Sequence, residues 1–338
     1  MVAATLRAPM PEALICMKKL LRTLPFLLAS LAAPAAEEPP VAKAMPVTQR
    51  DVTTQLQIFL DQQMFGPGKI DGRPGEFVTK ALVRYQRAHG LKESGKLDEN
   101  IPLDSVFPVY TTYTIEERDL KFIGEVPKEP KDQATKKYLP YENLLEFLTE
   151  RYHCAPEFLV KINKGRNLEK LKPGDPVLVP NVEPFKIEEL PSSSGNLPEL
   201  PQFKSRVINI HRAEKMLDVY DGDNLIAALP ITPGGGKLET PAGTFKILGI
   251  AAMPTFRWDK GVLEHGVRTE NFYMLPIGPN NPVGVAWIGL NKPGIGIHGT
   301  NSPQTIGRSQ SHGCMRTANW DAIRLSKLVT KGVTVIIE

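Results

Sequence analysis

The chain is short of cysteine, of aromatic side chains and of net charge, and each shortage excludes a class of protein. Three cysteines in 338 residues cannot form the disulfide framework of a small secreted domain. Aromatic residues make up 7%, the formal net charge is +4, and no basic patch interleaved with aromatics exists, so we expect no nucleic-acid binding. Hydrophobic residues make up 41% of the sequence, which suffices for packed cores. The length predicts two or three domains.

An apolar run near the beginning of the sequence has the form of a secretory signal, at residues 17–36. A basic start at Met17 precedes the run, and Ala-Pro-Ala at 33–35 offers small residues for cleavage. The run is too short and too near the start to favour a transmembrane helix. We therefore expect translation to begin at Met17, export to the periplasm or cell envelope, and no membrane span after cleavage. Cys16 precedes this start, so we do not expect it in the mature protein.

One cysteine, Cys314, lies among histidines and glycines near the end of the chain. A thiol needs a base to become the nucleophilic thiolate near neutral pH, and His298 and His312 are both close in sequence. His298 ends an alternating run typical of a strand. Gly313 permits a tight turn that can aim amide groups at a developing oxyanion. Arg316 is suited to hold a carboxylate in a two-pronged hydrogen bond.

The residues alone leave two other interpretations of this cluster open. A lone cysteine is usually a small buried hydrophobe, which is also the role we expect for Cys154. Alternatively, His298, His312 and Cys314 supply three zinc ligands, although no fourth cysteine or histidine stands nearby.

The order of four sequence elements resembles a known family. Cys314 follows His298 by 314 − 298 = 16 positions, within Ser-His-Gly-Cys at 311–314, and this pattern is similar to the signature of L,D-transpeptidase (YkuD) domains. Three further elements match that family in order: Thr-Pro-Ala-Gly-Thr-Phe at 240–245, Gly-Pro-Asn-Asn-Pro-Val-Gly at 278–284 and Ile-His-Gly-Thr at 297–300. The resemblance covers about residues 204–338.

The resemblance implies a mainly β catalytic domain, a YkuD-like β-sandwich, that performs acyl transfer. Cys314 would be the nucleophile, His298 the proton acceptor and donor, and Arg316 the ligand of a substrate carboxylate. Supporting roles around the turn and the histidine fall to Gly299, Ser311, His312 and Gly313. The family's chemistry requires no metal and no organic cofactor.

The substrates that the resemblance implies are the stem peptides of peptidoglycan, joined by 3→3 cross-links during cell wall biogenesis and the maintenance of cell shape. Water or a lipoprotein lysine would also resolve the same thioester, making the protein an L,D-carboxypeptidase or a lipoprotein ligase. A non-catalytic wall-binding protein is the alternative from a different class.

Two N-terminal regions resemble wall-binding modules and make the predicted architecture multidomain. Residues 50–104 predict two short helices around a turn-rich loop, similar to the small helical peptidoglycan-binding domain of type 1. Residues 111–184 predict an opening strand, a helix ending near Asn163 and a closing strand, which resembles an α+β LysM module that binds glycan strands. An insertion at 124–140 interrupts this second pattern.

Within the last region the sequence predicts strands and one helix. The helix is expected from Asn319, as its N-cap, to residue 329, with Gly332 closing it. Residues 191–195, rich in serine, predict a flexible linker before it.

Overall fold

The computed structural model describes residues 49–235, 238–308 and 313–338. The predicted signal at 17–36 and two of the predicted site residues, Ser311 and His312, lie outside these ranges. Within them, every helix is too short or too polar to cross a bilayer.

The first region contains two helices, α1 (Gln49–Gln62) and α2 (Glu76–Ala88). The buried apolar residues of α2 recur at helical spacing and are Val78, Ala81, Leu82 and Tyr85. The ring of Phe59 on α1 meets that of Tyr85 edge to face, with 5.0 Å between centroids. The prediction of two short helices around a loop is confirmed.

The middle region consists of two paired strands with three α-helices between them in sequence. Strand β1 (Tyr110–Thr114) pairs antiparallel with β2 (Pro176–Pro180), and α3 (Pro130–Gln133), α4 (Leu144–Arg151) and α5 (Pro156–Ile162) lie between them in sequence. The Asn163 amide, just past α5, bonds both the N–H and the carbonyl of Leu178, which fixes the helix on the sheet. The predicted strands and helix are confirmed, while the identity of the unit as a LysM module stays a prediction.

The last region is mainly β. Its strands are β3 (Gly195–Asn196), β4 (Val207–His211), β5 (Met216–Asp221), β6 (Asn224–Pro230), β7 (Gly243–Ala252), β8 (Phe256–Asp259), β9 (Phe272–Leu275), β10 (Ala286–Leu290), β11 (Gly296–His298), β12 (Met315–Arg316) and β13 (Thr334–Ile337). Its helices are α6 (Lys260–His265), which the sequence did not predict, and α7 (Asn319–Ser326).

These strands form one curled sheet, in the order β12-β11-β10-β7-β13-β4-β5-β6, with β3 also on β7 and β8–β9 as a separate hairpin. The expected β-sandwich of separate sheets is therefore corrected. The ten-residue strand β7 is the reason, because its C-terminal part pairs with β10 and its N-terminal part with β13. Fully buried residues from both halves, such as Ile208 and Ile288, meet in one core inside the curl.

Two local expectations are wrong. The N-cap of α7 is Ala318, and the helix ends at Ser326, six residues before Gly332 closes the turn into β13. Asn319 accepts backbone hydrogen bonds from other segments instead of capping its own helix. The predicted linker at 191–195 leads directly into β3, because Gly195 and Asn196 pair with the end of β7.

The three regions share one hydrophobic core. It contains Phe59 and Leu82 of the first region, Phe147 and Phe158 of the second, and Val285 and Trp320 of the third. Apolar side chains that would be exposed in an isolated region are thus covered by the neighbouring ones. The chain from residue 47 to 338 is accordingly one compact unit.

A buried polar cluster, here called the seam cluster, joins the same three regions. Its members are Asp61 from α1, His153 from the middle region, and Arg324 and Trp320 from α7. Arg324 Nη1 lies 2.7 Å from Asp61 Oδ2, and His153 Nδ1 lies 2.8 Å from Asp61 Oδ1. The His153 ring also stacks on Trp320, with centroids 5.1 Å apart. Burial alone would raise the pKa of Asp61, but Arg324 and His153 hold that pKa well below its usual range.

We expect Asp61→Ala to lower the free energy of unfolding of the full chain by about 3–5 kcal/mol, because the buried charge of Arg324 would lose its partner at 2.7 Å and keep only the more distant Asp321, at 3.9 Å. Urea unfolding followed by circular dichroism measures this. The matched control is Glu93→Ala, which removes an exposed ion pair with Arg87 at 2.8 Å and should cost at most about 1 kcal/mol. Equal losses for the two variants would contradict the structural role of the seam cluster.

Candidate active site

The pairing of three strands brings the predicted site residues together. Strand β11 lies antiparallel to β10 and parallel to β12, and in that register His298 is opposite Arg316 and Ile297 is opposite Met315. Ile297 and Met315 are fully buried in the core of the curl. Because side chains alternate along a strand, His298 and Arg316 face the other side, and so does Cys314, two positions before Arg316.

His298 is held as a neutral imidazole of defined tautomer. Its ring stacks on Trp287 with centroids 5.5 Å apart, and its Nδ1 lies 2.6 Å from the carbonyl oxygen of Gly299. A carbonyl can only accept, so Nδ1 carries the hydrogen and Nε2 carries the lone pair. Burial lowers the pKa of His298 to about 4, against the raising effect of the Gly299 hydrogen bond, and the Arg316 charge adds a smaller lowering. The ring can therefore accept a proton at neutral pH.

Cys314 lies in a crevice, enclosed by protein atoms but with part of its surface open to solvent. Its Sγ is 3.1 Å from the carbonyl oxygen of Gly294, and the backbone N–H of Gly296 is also directed at the sulfur. Burial raises the pKa of the thiol to about 11, against the lowering effects of Gly296 and Arg316. The resting site thus holds a neutral thiol and a neutral imidazole, so a proton must leave the sulfur when it reacts.

The turn before Cys314 is fixed by two glycines and a threonine. Gly313 has φ +98°, and a Cβ on Gly234 would stand 2.5 Å from the N and Cα of Gly313. The Thr240 hydroxyl accepts from the N–H of Gly234 at 2.7 Å and donates to the carbonyl of Gly313 at 3.0 Å. Thr240, part of the 240–245 motif, is completely buried and therefore supports the turn that presents the thiol.

Arg316 is a half-buried cation next to both reactive groups. Its backbone makes two hydrogen bonds with that of Thr232, which anchors β12 to the segment after β6. Burial lowers the pKa of its guanidinium, and its charge in turn lowers the pKa of both His298 and Cys314. The positive charge will favour any negative charge that forms on the sulfur.

Asn319 is a site residue that the sequence analysis missed by assigning it to a helix cap. Its Oδ1 accepts from the N–H of Thr300 at 3.1 Å and of Val285 at 3.2 Å, and it would collide with a Cβ placed on Gly299. The side chain therefore fixes the backbone whose carbonyl orients His298. The sequence signal for this close approach is the glycine in each of two motifs, Gly284 in 278–284 and Gly299 in 297–300, because a Cβ at either position would collide with Asn319.

Of the predicted site residues, His298 lies opposite Arg316 and bonds the carbonyl of Gly299, and Gly313 and Cys314 directly precede β12. Ser311 and His312 fall outside the described residues. The described ranges contain no group of three His, Cys, Asp or Glu side chains arranged to hold a metal. The zinc interpretation includes His312, so it is not tested by this geometry.

Comparison with known families supports one interpretation of the last region. Residues 205–337 match the family described as "L,D-transpeptidase catalytic domain", known as YkuD. This match supports the interpretation of these residues as an L,D-transpeptidase catalytic domain. Residues 49–101 match a second family, "Putative peptidoglycan binding domain", so peptidoglycan is the substrate class that both matches indicate.

Curated relatives carry the same family name. The "Putative L,D-transpeptidase YkuD" of Bacillus licheniformis is 26% identical over 193 residues, which cover 57% of this chain and 92% of that protein. The protein of the same name from Bacillus subtilis is 42% identical over 123 residues, but only 60% of its length is covered. For "Probable L,D-transpeptidase YbiS" of Escherichia coli K12 the identity is 34% and the covered share of that protein is 48%.

Among solved structures, the L,D-transpeptidase from Mycobacterium smegmatis aligns with 40% of this chain and 58% of its own chain. Its sequence identity is 20% and the TM-score is 0.32.

We expect the imidazole of His298 to titrate with a midpoint near pH 4, far below the ordinary value of about 6.5, because burial disfavours its charged form. Nitrogen NMR of protein labelled at histidine measures both midpoint and tautomer, and Nδ1 should carry the hydrogen.

His211 is the internal control, because its hydrogen bond to Asp218 raises the pKa of that imidazole. A His298 midpoint at or above 6.5, or hydrogen on Nε2 in the neutral form, would contradict the described geometry.

Proposed function

We propose that the protein is an L,D-transpeptidase that acts on peptidoglycan stem peptides through a thioester on Cys314. The observation that carries the proposal is the β11–β12 register, which sets His298 opposite Arg316, with Cys314 two positions before Arg316 in the chain. It is supported by a neutral imidazole with its lone pair on Nε2 and by a thiol that cannot ionise unaided. The family matches at 205–337 and 49–101 support the reaction class and the polymer.

In the first half-reaction His298 Nε2 takes the thiol proton as Sγ attacks the carbonyl that joins a diamino acid to a terminal D-alanine. The negative charge passes to the carbonyl oxygen of the tetrahedral intermediate, where amide groups of the turn at Gly313 and Cys314 donate to it. The carbon–nitrogen bond then breaks, His298 returns the proton to the leaving amine, and D-alanine departs. The product is a thioester between the donor stem and Cys314.

In the second half-reaction the side-chain amine of another stem attacks the thioester carbon. His298 accepts a proton from that amine and returns it to the sulfur as the carbon–sulfur bond breaks. The result is an amide between two diamino acids, a 3→3 cross-link, and a free thiol. Water or a lipoprotein lysine would follow the same steps and yield a shortened stem or a linked lipoprotein.

Arg316 binds a carboxylate of the stem in this proposal. A guanidinium presents two parallel donors that match the two oxygens of a carboxylate, and its position opposite His298 puts that carboxylate next to the scissile bond. Its charge also favours the thiolate, as its effect on the Cys314 pKa indicates.

The regions before the catalytic domain act as wall-binding modules in the same proposal. We assign residues 50–104 to a peptidoglycan-binding domain, 111–184 to a LysM-like domain that contacts glycan strands, and 204–338 to catalysis. A signal at 17–36 would deliver the protein to the periplasm or cell envelope, where its polymer is found. A purely wall-binding role is disfavoured because it gives no function to the oriented His298 beside Cys314.

We expect Cys314→Ala to reduce acylation by a small soluble tetrapeptide donor by at least about 10³-fold, because the nucleophile is lost. Intact-protein mass spectrometry should show one added acyl group on the unmodified protein and none on the variant. Cys154→Ala is the matched control: that thiol is buried, its pKa is raised far out of the physiological range by burial, and acylation should persist without it.

The same assay examines Arg316 when the donor is supplied both as the free acid and as its amide at the proposed carboxylate. The unmodified protein should prefer the free acid, and Arg316→Lys should lose that preference almost as fully as Arg316→Ala. Acylation of the Cys314→Ala variant would refute the mechanism, and a full preference in Arg316→Ala would refute the carboxylate role.

A further inference from the structure

The three regions enclose a groove on the outside of the seam between them, here called the junction groove. It consists of two adjoining cavities of about 250 and 240 Å³, which share Lys69, Asp71, Arg73 and Arg308 as lining residues. We propose that the junction groove is a second binding site, which takes a charged stem peptide of the peptidoglycan strand whose neighbouring stem is in the active site. This inference rests on the proposed function, and it concerns a site that is separate from Cys314 and His298.

The charge of the groove is the first argument. Lys69, Arg73, Lys161 and Arg308 all line the smaller cavity, together with the acids Asp71 and Glu157. A third acid, Glu76, lines the larger cavity and forms an ion pair with Lys80. Within the described residues, none of these four cations forms an ion pair with an acid. Four like charges around so small a space repel one another, and an anionic ligand relieves that repulsion while it forms charge-assisted hydrogen bonds.

The presence of both basic and acidic side chains in the junction groove indicates which kind of anion it binds. Stem peptides carry several free carboxylates and, on the diamino acid, an ammonium group. The cations of the groove match the carboxylates, and Glu157 offers a partner for the ammonium. A phosphate polymer would offer no cationic group to pair with Glu157. The sugars of the glycan are uncharged, so they would leave the cations of the groove without partners. The groove therefore fits a stem peptide better than either alternative.

The position of the groove is the second argument. One wall consists of residues 303–308, which belong to the loop that runs from His298 at the end of β11 to Cys314 before β12. The opposite walls come from residues 67–78 of the first region and from α5 of the middle region. The same loop thus borders the groove and joins the two candidate catalytic residues.

Packing connects the groove wall firmly to the site. The N–H of Gly307 donates to the hydroxyl of Thr232 at 2.7 Å, and the backbone of Thr232 pairs with Arg316. Lys215 Nζ donates to the carbonyl of Gly307 at 2.7 Å, and a Cβ at Gly307 would stand 2.1 Å from the Phe77 ring. A stem bound in the groove would accordingly lie at a fixed distance from the active site, unlike one held by a module on a flexible linker.

The test measures binding in a Cys314→Ala background, where no acyl-enzyme can form. The probe is a soluble disaccharide-tetrapeptide with free carboxylates, titrated by calorimetry. Lys161→Glu and Arg73→Glu should each raise the Kd for this probe by roughly tenfold or more. Each variant replaces a cation that binds the probe's carboxylates by a negative charge that repels them. Both residues are exposed, and unchanged melting temperatures would confirm that the variants fold.

Lys164→Glu is the matched control, an exposed lysine near α5 that does not line the groove, and its Kd should equal that of the background protein. The fully amidated probe should bind the background protein as weakly as the free acid binds the groove variants. Equal Kd values for the groove variants and the control would overturn the proposal, and so would tighter binding of glycerol phosphate than of the stem peptide. If instead the proposed function is wrong, the unmodified protein would not be acylated by the tetrapeptide donor, and this result is independent of the binding measurements.

Discussion

The site depends on one pairing, the short parallel contact between β11 and β12. It sets His298 opposite Arg316 and leaves Cys314 on the same face, while Ile297 and Met315 hold the pair against the core. Two residues of β12 are too few to secure this register alone, so side chains outside the strands support it. Asn319 fixes the segment after His298, and the hydroxyl of Thr240 fixes the turn before Cys314. Catalytic geometry therefore rests on buried hydrogen bonds to backbone, made by residues that take no part in the proposed chemistry.

The second constraint is the common core of the three regions. Domains joined by flexible linkers would only raise the local concentration of polymer, whereas the seam cluster and the shared apolar core give the regions a fixed arrangement. Arg84 of α2 strengthens the same arrangement, because its Nε lies 2.6 Å from the buried carboxylate of Asp218 on β5. A catalytic fragment cut away at residue 204 would expose Trp320 and Val285 and leave Asp218 without its buried partner. The N-terminal regions are thus part of the folded catalytic unit as well as candidate wall-binding modules.

The sequence predicted what depends on local pattern and on distinctive motifs. The two helices of the first region and the strands of the middle one followed from periodicity and turn residues, and the motifs around Cys314 led to the family that residues 205–337 match. What it missed depends on contacts between distant positions. The single curled sheet follows from the sharing of β7 by two partners, and the bond from Arg324 to Asp61 joins residues 263 positions apart. Asn319 looked like a helix cap because its hydrogen-bond partners, Val285 and Thr300, are adjacent only in the folded chain.

The central claim is that the thiol of Cys314 passes a donor stem to the amine of a second stem. The most direct measurement is to incubate the purified protein with sacculi rich in tetrapeptide stems, and to identify the resulting muropeptides by fragmentation mass spectrometry together with the D-alanine released. The account predicts dimers joined between two diamino acids, formed one for one with free D-alanine. Release of D-alanine with shortened stems and no dimers would contradict it, and would make water the acceptor.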